Sequence, residues 1–487
     1  MNDPMDAQER MFNRRPAEGE PSAAARPAPG REDLWSEEAL FWRELTGREP
    51  TSADLEQLAR TRSGRLAELR KLLRKHLREY VAEARRPANI NAIELVRTSY
   101  DEEELLAALD VLLEDRLTMG ARVAAFEQAW SEYLPSAFSV MVNSGSSANL
   151  LALAALSFPG VESHLRPGDE VIVPAVAWST SLFPVVQVGC VPVIVDVDLE
   201  TLNMDPAQVE AAISPKTRAI LAVHVLGNPC DMKRLQAIAA KHRLWVVEDC
   251  CESHGASIDG KKVGTFGDLS AFSFYFSHHM TSIEGGVVCG SDAKRWQDLL
   301  VSLRAHGWVR GRTDYDEWVR RCPDIDPRWL FVVPGYNLRP QEINAAFALV
   351  QLSRLPGFVE QRCATRRRLL QALKPYEKYF HFQRELPGHV HTAFGLSFVL
   401  REDVPFTRQE FQAYLESCAI QTRPVIGSNL ARQPVMKHIP HRQAGDLRQA
   451  DHVHTHGVMI ANHHNVTHSQ QDYLAECIGR FVREHAS

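Results

Sequence analysis

Phe272-Ser-Phe-Tyr-Phe-Ser-His278-His279-Met-Thr-Ser-Ile-Glu-Gly-Gly286 begins as an aromatic run of strand character, breaks into two polar histidines and closes on two glycines. Glycines there permit a tight turn or a close backbone approach. Upstream, Leu244-Trp-Val-Val-Glu-Asp249 is a second buried-strand pattern, and it ends in acids. Two apolar strands that deliver ionisable groups at their carboxyl ends make the floor of an α/β active site.

The same rhythm extends to both sides. Short apolar runs at 139–142, 170–173, 191–197, 219–225, 244–247, 269–274 and 286–289 alternate with segments of helix length. This predicts βαβ units and an α/β fold with a mostly parallel, doubly wound sheet over 96–370. Ser99-Tyr-Asp101-Glu-Glu-Glu reads as a helix start, a polar cap followed by acids. Helical patterns run over 341–374. Beyond them, an apolar run at 393–400 and a helix at 407–417 predict a smaller α+β domain over 371–487.

The first part of the chain reads differently. Residues 1–31 are rich in Pro, Ala, Glu and Arg, the composition of a disordered tail. Residues 32–95 read as a helical extension. Leucines at 55, 58, 66, 69, 72, 73 and 77 recur mostly three or four apart among arginines and lysines, with Ser63-Gly64 as a break between two helices. This basic amphipathic segment would pack on the body, on a dimer partner, or on another protein.

With 487 residues, 45% apolar, 24% charged and a net charge of −6, the chain suits a two- or three-domain enzyme and lacks the basic footprint of a partner for nucleic acid or anionic membrane. No apolar run reaches the roughly 18 residues of a membrane span. Asp3, Asp6, Glu9 and Arg10 interrupt any secretory signal. Nine scattered cysteines show no C-x-C or C-x-x-C spacing, so neither a metal nor an iron–sulfur cluster is expected. They read as reduced thiols of a cytoplasmic protein. Cys250-Cys251 follows Asp249, so a thiol lies near the site or simply fills the core.

Four signals carry chemistry. Asn143-Ser-Gly145-Ser146-Ser-Ala-Asn joins a strand to a helix, and its free N–H groups suit a phosphate or merely mark a capped helix start. Trp178 follows a strand and would stack on a flat ring or sit in the core. Asp249 would hold a protonated ring nitrogen, or cap a helix. Ser273 adds a phosphate contact, and His278 is able to trade protons near neutral pH, unless the pair of histidines is structural.

In this order the four signals resemble the DegT/DnrJ/EryC1/StrS sugar aminotransferases and dehydratases, with fold type I pyridoxal-phosphate architecture. The resemblance covers residue 96 to the end. Most members have a lysine at the position of His278, where it carries the cofactor through a Schiff base. No lysine lies between Lys262 and Lys294. Imidazole forms no stable Schiff base but serves as a general base. The histidine variant resembles the pyridoxamine-phosphate (PMP)-dependent 3-dehydratases of nucleotide-linked 4-keto-6-deoxy sugars. Pro174-Ala-Val-Ala-Trp-Ser-Thr, Leu226-Gly-Asn-Pro, Arg304-Ala-His306-Gly-Trp, Pro334-Gly-Tyr-Asn337-Leu-Arg-Pro and Arg423-Pro-Val carry that likeness. The cysteine cluster of the iron–sulfur type is missing, which favours the redox-neutral GDP-sugar type. That type has a glutamate beside Arg423 where this chain has Gln421, a lost negative charge at the expected sugar site.

The resemblance implies a lyase, a sugar 3-dehydratase of deoxysugar biosynthesis. Pyridoxal 5'-phosphate, held noncovalently, would be converted to PMP by L-glutamate, and the deoxygenated keto sugar and ammonia would be released. It assigns His278 as the catalytic base. Gly145, Ser146, Trp178, Asp249 and Ser273 would hold the cofactor, joined by Asn337 from a second subunit of a homodimer with shared sites. His306, Arg423 and Gln421 would face the substrate. The alternatives are a related enzyme acting on another keto sugar or a non-sugar ketone, and a non-catalytic protein of the same fold.

Overall fold

The computed structural model describes residues 51, 53–54, 62–84, 89–114 and 117–485. The expected disordered tail at 1–31 lies outside them, as does the leucine pattern at 55 and 58. The described residues fall into two units that divide between Tyr80 and Val81. Helix α1 (Arg62–Ala84) runs for 23 residues, with Ser63 and Gly64 in its first turn. Among the described residues no helix is long and apolar enough to cross a membrane.

The second unit is built on eight strands. Seven are β1 (Phe138–Val142), β2 (Glu170–Pro174), β3 (Val191–Val195), β4 (Thr217–Val223), β5 (Trp245–Asp249), β6 (Leu269–Ser273) and β7 (Gly286–Gly290). Their order is β1-β7-β6-β5-β4-β2-β3. The pairs from β6 through β3 are parallel, and β7 runs antiparallel to both β1 and β6. Every position of β1, β2, β6 and β7 is buried. Helices cover both faces of such a sheet, so its strands read as continuous apolar runs rather than as alternation.

One strand of this sheet has no such sequence signature. Arg442–Gln443 lies parallel to β3 at the sheet edge, and the Arg442 guanidinium binds Glu170 with contacts of 3.0 and 2.8 Å. Two polar residues cannot announce a strand by periodicity.

Helix α2 (Glu102–Leu113) starts as its sequence predicts. Asp101 and Glu104 form a capping box. Arg354 then clamps Asp101 with contacts of 2.7 and 2.8 Å, so the cap is tied to α8 (Glu342–Leu373). Helix α3 (Ala121–Tyr133) has Gly120 at its N-cap and no cap of its own. Glu342 supplies one from a distance, accepting the N–H groups of Gly120, Arg122 and Val123.

Helices α4 (Gly145–Leu156), α5 (Ser179–Gln187), α6 (Met232–His242) and α7 (Ala293–Arg304) cover the sheet. After α8 comes a four-stranded antiparallel sheet of β8 (Phe380–His381), β9 (Gly395–Leu400), β10 (Thr422–Arg423) and, counting Arg442–Gln443 as β11, β12 (Gly457–Ala461), in the order β8-β9-β12-β10. Its core holds Phe380, Phe398, Phe411 and Phe481, all fully buried. Each large buried apolar side chain contributes about 1.5–3 kcal/mol. Thr407 and Glu410 form the capping box of α9 (Arg408–Ser417).

Candidate active site

The site forms where the carboxyl ends of β4, β5 and β6 meet the start of α4. Two glycines set the approach. A Cβ on Gly145 would overlap the Ser273 side chain and come within 2.9 Å of Cys251 Sγ. A Cβ on Gly286 would overlap the Ser144 carbonyl and lie 2.7 Å from Gly145 N. The start of β7 and the α4 turn therefore touch backbone to backbone, and the Ser273 side chain at the end of β6 packs on Gly145. Ser144 caps α4 by accepting from Ser147 N–H at 3.1 Å. Gly145 and Ser146 occupy the first helical positions, whose N–H groups have no intrahelical acceptor. Ser146 Oγ bonds Thr180 Oγ1 at 2.9 Å.

The two acids that end β5 point to opposite faces, as successive strand residues must. Glu248 is fully buried and accepts the N–H groups of Gly264, Phe266 and Gly267 as well as His224 Nε2 at 3.1 Å. His224 Nδ1 accepts from Cys230 N–H. With Cys250 this makes a His, Glu and Cys group within 4.8 Å, yet the histidine and carboxylate lone pairs are already spent on turn backbone. Asp249 faces a cavity. Its Oδ2 accepts from Asn149 Nδ2 and Ser181 Oγ, both at 2.7 Å, and its Oδ1 accepts from Cys251 N–H at 3.1 Å. Three of roughly four acceptor positions are filled, which fixes the carboxylate and leaves one direction for a further donor.

The paired histidines also separate. His279 is fully buried, its Nε2 3.1 Å from the Thr392 carbonyl. His278 is half-buried and lines the cavity. Its Nδ1 lies 3.2 Å from the Ser273 carbonyl. A carbonyl only accepts, so Nδ1 carries the proton and Nε2 presents a lone pair. Burial is the main cause that holds this imidazole down at about 4. The bond to Ser273 opposes it, Arg362 adds to it, and Asp249 opposes it. The imidazole is neutral at physiological pH, so Nε2 is able to accept a proton.

The cavity measures about 700 Å³. Gly145, Ser146, Trp178, Asp249, Ser273, His278 and Arg423 all line it. No lysine does. Trp178 is 58% exposed, an indole left open beside the α4 turn. Phe394, Arg423 and Met459 close the far wall from the small sheet. Cys251 also lines the cavity, while Cys250 belongs to the core. Burial holds the Cys251 thiol protonated.

Three of the residues expected at the site lie elsewhere in this chain. His306 and Asn337 are neighbours of each other, joined through a bridge between Ala305 and Asn337, and do not line the cavity. Gln421 Oε1 accepts from Leu95 N–H at 3.0 Å, and its own N–H bonds the Ile93 carbonyl. It splints the segment before α2 instead of facing the cavity.

Asn149, Ser181, Thr180 and Glu252 are polar residues of the site that the sequence reading passed over. Asn149 had a signal: an amide one turn after Gly145 in an otherwise apolar helix, on the same face. Glu252 accepts from Leu226 N–H at 3.0 Å. Burial pushes its carboxyl up to about 8, the Leu226 bond opposing and the Asp249 charge assisting.

The donor set suits a phosphorylated aromatic ring. Free helix N–H groups and serine hydroxyls lie at one end, an open indole at the side, and a fixed carboxylate on the floor. Residues 98–479 match the model of the DegT/DnrJ/EryC1/StrS aminotransferase family. The chain is 39% identical over 373 residues to GDP-4-keto-6-deoxy-D-mannose 3-dehydratase of Yersinia pseudotuberculosis, covering 76% of this chain and 93% of that protein. It is 36% identical over 421 residues to dTDP-4-dehydro-2,6-dideoxy-D-glucose 3-dehydratase of Saccharopolyspora spinosa, covering 83% and 90%. A solved structure of GDP-4-keto-6-deoxymannose-3-dehydratase with a trapped PLP-glutamate geminal diamine superposes with a TM-score of 0.73 at 33% identity, covering 79% of this chain and 99% of that one. The architecture is fold type I, as the resemblance implied, and the chain belongs to the DegT/DnrJ/EryC1/StrS aminotransferase family.

Proposed function

We propose that this protein is a PMP-dependent lyase that removes the C3 hydroxyl of a nucleotide-linked 4-keto-6-deoxyhexose, with L-glutamate as amino donor and ammonia as by-product. The observation that carries the reading is His278: an imidazole with a free Nε2 stands in a cavity without lysine. Both dehydratase relatives act at C3 by name, and they differ in nucleotide. The nucleotide here is GDP in our reading, from the higher identity.

Bound PMP supplies a primary amine for the C4 ketone and a ring that accepts electron density. The protein does the rest. Gly145 and Ser146 N–H groups with the Ser273 hydroxyl hold the phosphate. Trp178 covers the ring, and Asp249 keeps the ring nitrogen protonated. His278 Nε2 would take the proton lost from the carbon that bears the cofactor's amine and hand it to the C3 oxygen, which departs as water. Arg423 offers a cation to the substrate from the small-sheet wall. His306 and Asn337 serve the site of a second copy in a homodimer, which agrees with their place outside this chain's own cavity. Gln421 acts on the substrate side only through the 93–95 segment. The same reading keeps 96–370 as the cofactor-binding domain and 371–487 as the smaller one, and places the enzyme in the cytoplasm.

The test supplies glutamate, PLP and GDP- or dTDP-linked 4-keto-6-deoxyhexoses. One ammonia and one 2-oxoglutarate should appear per deoxygenated sugar, and borohydride should leave no cofactor attached to the chain. Aminated sugar as the end product, or a reduced lysine adduct, refutes the reading.

A further inference from the structure

A second cavity, of about 420 Å³, lies at the opposite edge of the large sheet, against the first residues of β2, β4 and β5. Strand β5 spans the distance, with Trp245 in this cavity and Asp249 in the catalytic one. At ~3.3 Å per residue the two ends are about 13 Å apart. None of the residues that line this cavity has a part in the proposed reaction.

Its lining is cationic. Arg166, Arg218, Arg243, His164 and His242 face one carboxylate, Asp169. Asp169 is partly spent, accepting from Arg166 N–H at 2.8 Å and lying 4.0 Å from Arg218 Nε. Arg218 uses Nη1 on the Pro215 and Thr217 carbonyls, which anchors it and leaves Nη2 without a hydrogen bond among the described residues. The guanidinium groups of Arg166 and Arg243 have no partner among the described residues. His242 Nε2 is buried without a partner, a costly state for a ring nitrogen that no acceptor or donor meets.

Backbone conformation sets the direction of one of these side chains. Arg243 ends α6 in the left-handed region, φ 56°, where glycine is the usual choice. Ser163, on the rim, is left-handed as well, φ 58°. Side chains pay at both positions, and in Arg243 the result is a guanidinium delivered to the rim. A cation there also suits the carboxyl end of a helix, but that does not account for Arg166 and Arg218, which come from other elements.

We infer that this cavity binds a phosphoryl anion, inorganic or carried by a nucleoside diphosphate, at a site separate from the catalytic one. Guanidinium forks match phosphoryl oxygens in geometry, three arginines against one carboxylate leave net positive charge, and the volume exceeds that of a single phosphate. Trp245 lines the cavity beside the arginines, its ring already covered in part by the Arg295 guanidinium 5.6 Å from the centroid.

The test uses PMP-loaded protein, so that the catalytic phosphate cradle is filled, and calorimetric titration with inorganic pyrophosphate. Wild type should bind one anion per chain. Arg166→Ala with Arg243→Ala, two exposed side chains without partners, should weaken binding more than tenfold and leave the melting temperature and bound PMP unchanged. Asp169→Asn should tighten it. A nucleoside diphosphate should show two sites in wild type; loss of one in the double variant assigns the nucleotide to this cavity, and loss of pyrophosphate binding alone assigns it to the inorganic anion. Unsaturable binding in wild type, or equal affinity in all three proteins, overturns the site.

Discussion

The two ends of β5 are built from different materials. At the carboxyl end, the backbone of Gly286 meets that of Ser144 and Gly145, and the Asp249 carboxylate is buried and already hydrogen-bonded. At the amino end, arginines reach in from the surface on long side chains. The first arrangement fixes atoms before any ligand arrives. The second supplies charge and lets the side chains settle on the ligand. Preorganised groups support chemistry, whereas flexible cations support binding, so substitutions should cost far more at one end than at the other.

The largest effect should come from His278→Asn. Losing the proton-transferring group costs about 10²–10⁴-fold in turnover, while PMP, held by other residues, should stay bound. Single-turnover ammonia release together with cofactor absorbance separates the two. Near-normal turnover would mean that the carboxyl end is a binding pocket like its counterpart, and the contrast would fail.

Gly286→Ala comes next. Its Cβ would drive into the Ser144 carbonyl and Gly145 N, which are backbone and cannot rotate away. Overpacking of this kind costs roughly 1–3 kcal/mol, and here it also displaces the α4 turn. The expected outcome is a lower unfolding midpoint with PMP affinity reduced by more than the stability loss alone explains. If stability falls and affinity does not, the turn carries no phosphate.

The sequence disclosed the apolar strands because both faces of the sheet are covered, which turns each strand into an unbroken apolar run. It also disclosed the capped helix start at Asp101, whose chemistry is local. What it hid depends on contacts distant in sequence. Glu342 capping α3, and Arg442–Gln443 joining the sheet edge, leave no periodic trace. Glu248 and Asp249 read as equivalent acids until the pleat sends one into a turn and the other into the cavity. His306 and Asn337 were legible as a motif but find no place in the cavity of their own chain.

The smallest effect tests the electrostatic side of the contrast. Glu252, at the carboxyl end, has its carboxyl raised from an ordinary 4.5 to about 8. A raised acid binds its proton more tightly in the folded chain, so its contribution is fully present below 4.5 and is lost as pH rises through 8. His278, lowered from 6.5 to about 4, acts the other way: its contribution is present above 6.5 and lost as pH falls through 4. Between pH 6.5 and 8 the Glu252 effect therefore stands alone of the two. Stability of the cofactor-free protein should fall across that interval, and Glu252→Gln should flatten the fall while keeping the acceptor for Leu226 N–H. Urea midpoints at pH 6.5 and 8 measure it. An unchanged slope in the variant would place the titrating group elsewhere, and with it the claim that burial at this end of β5 sets the charge states of the cavity.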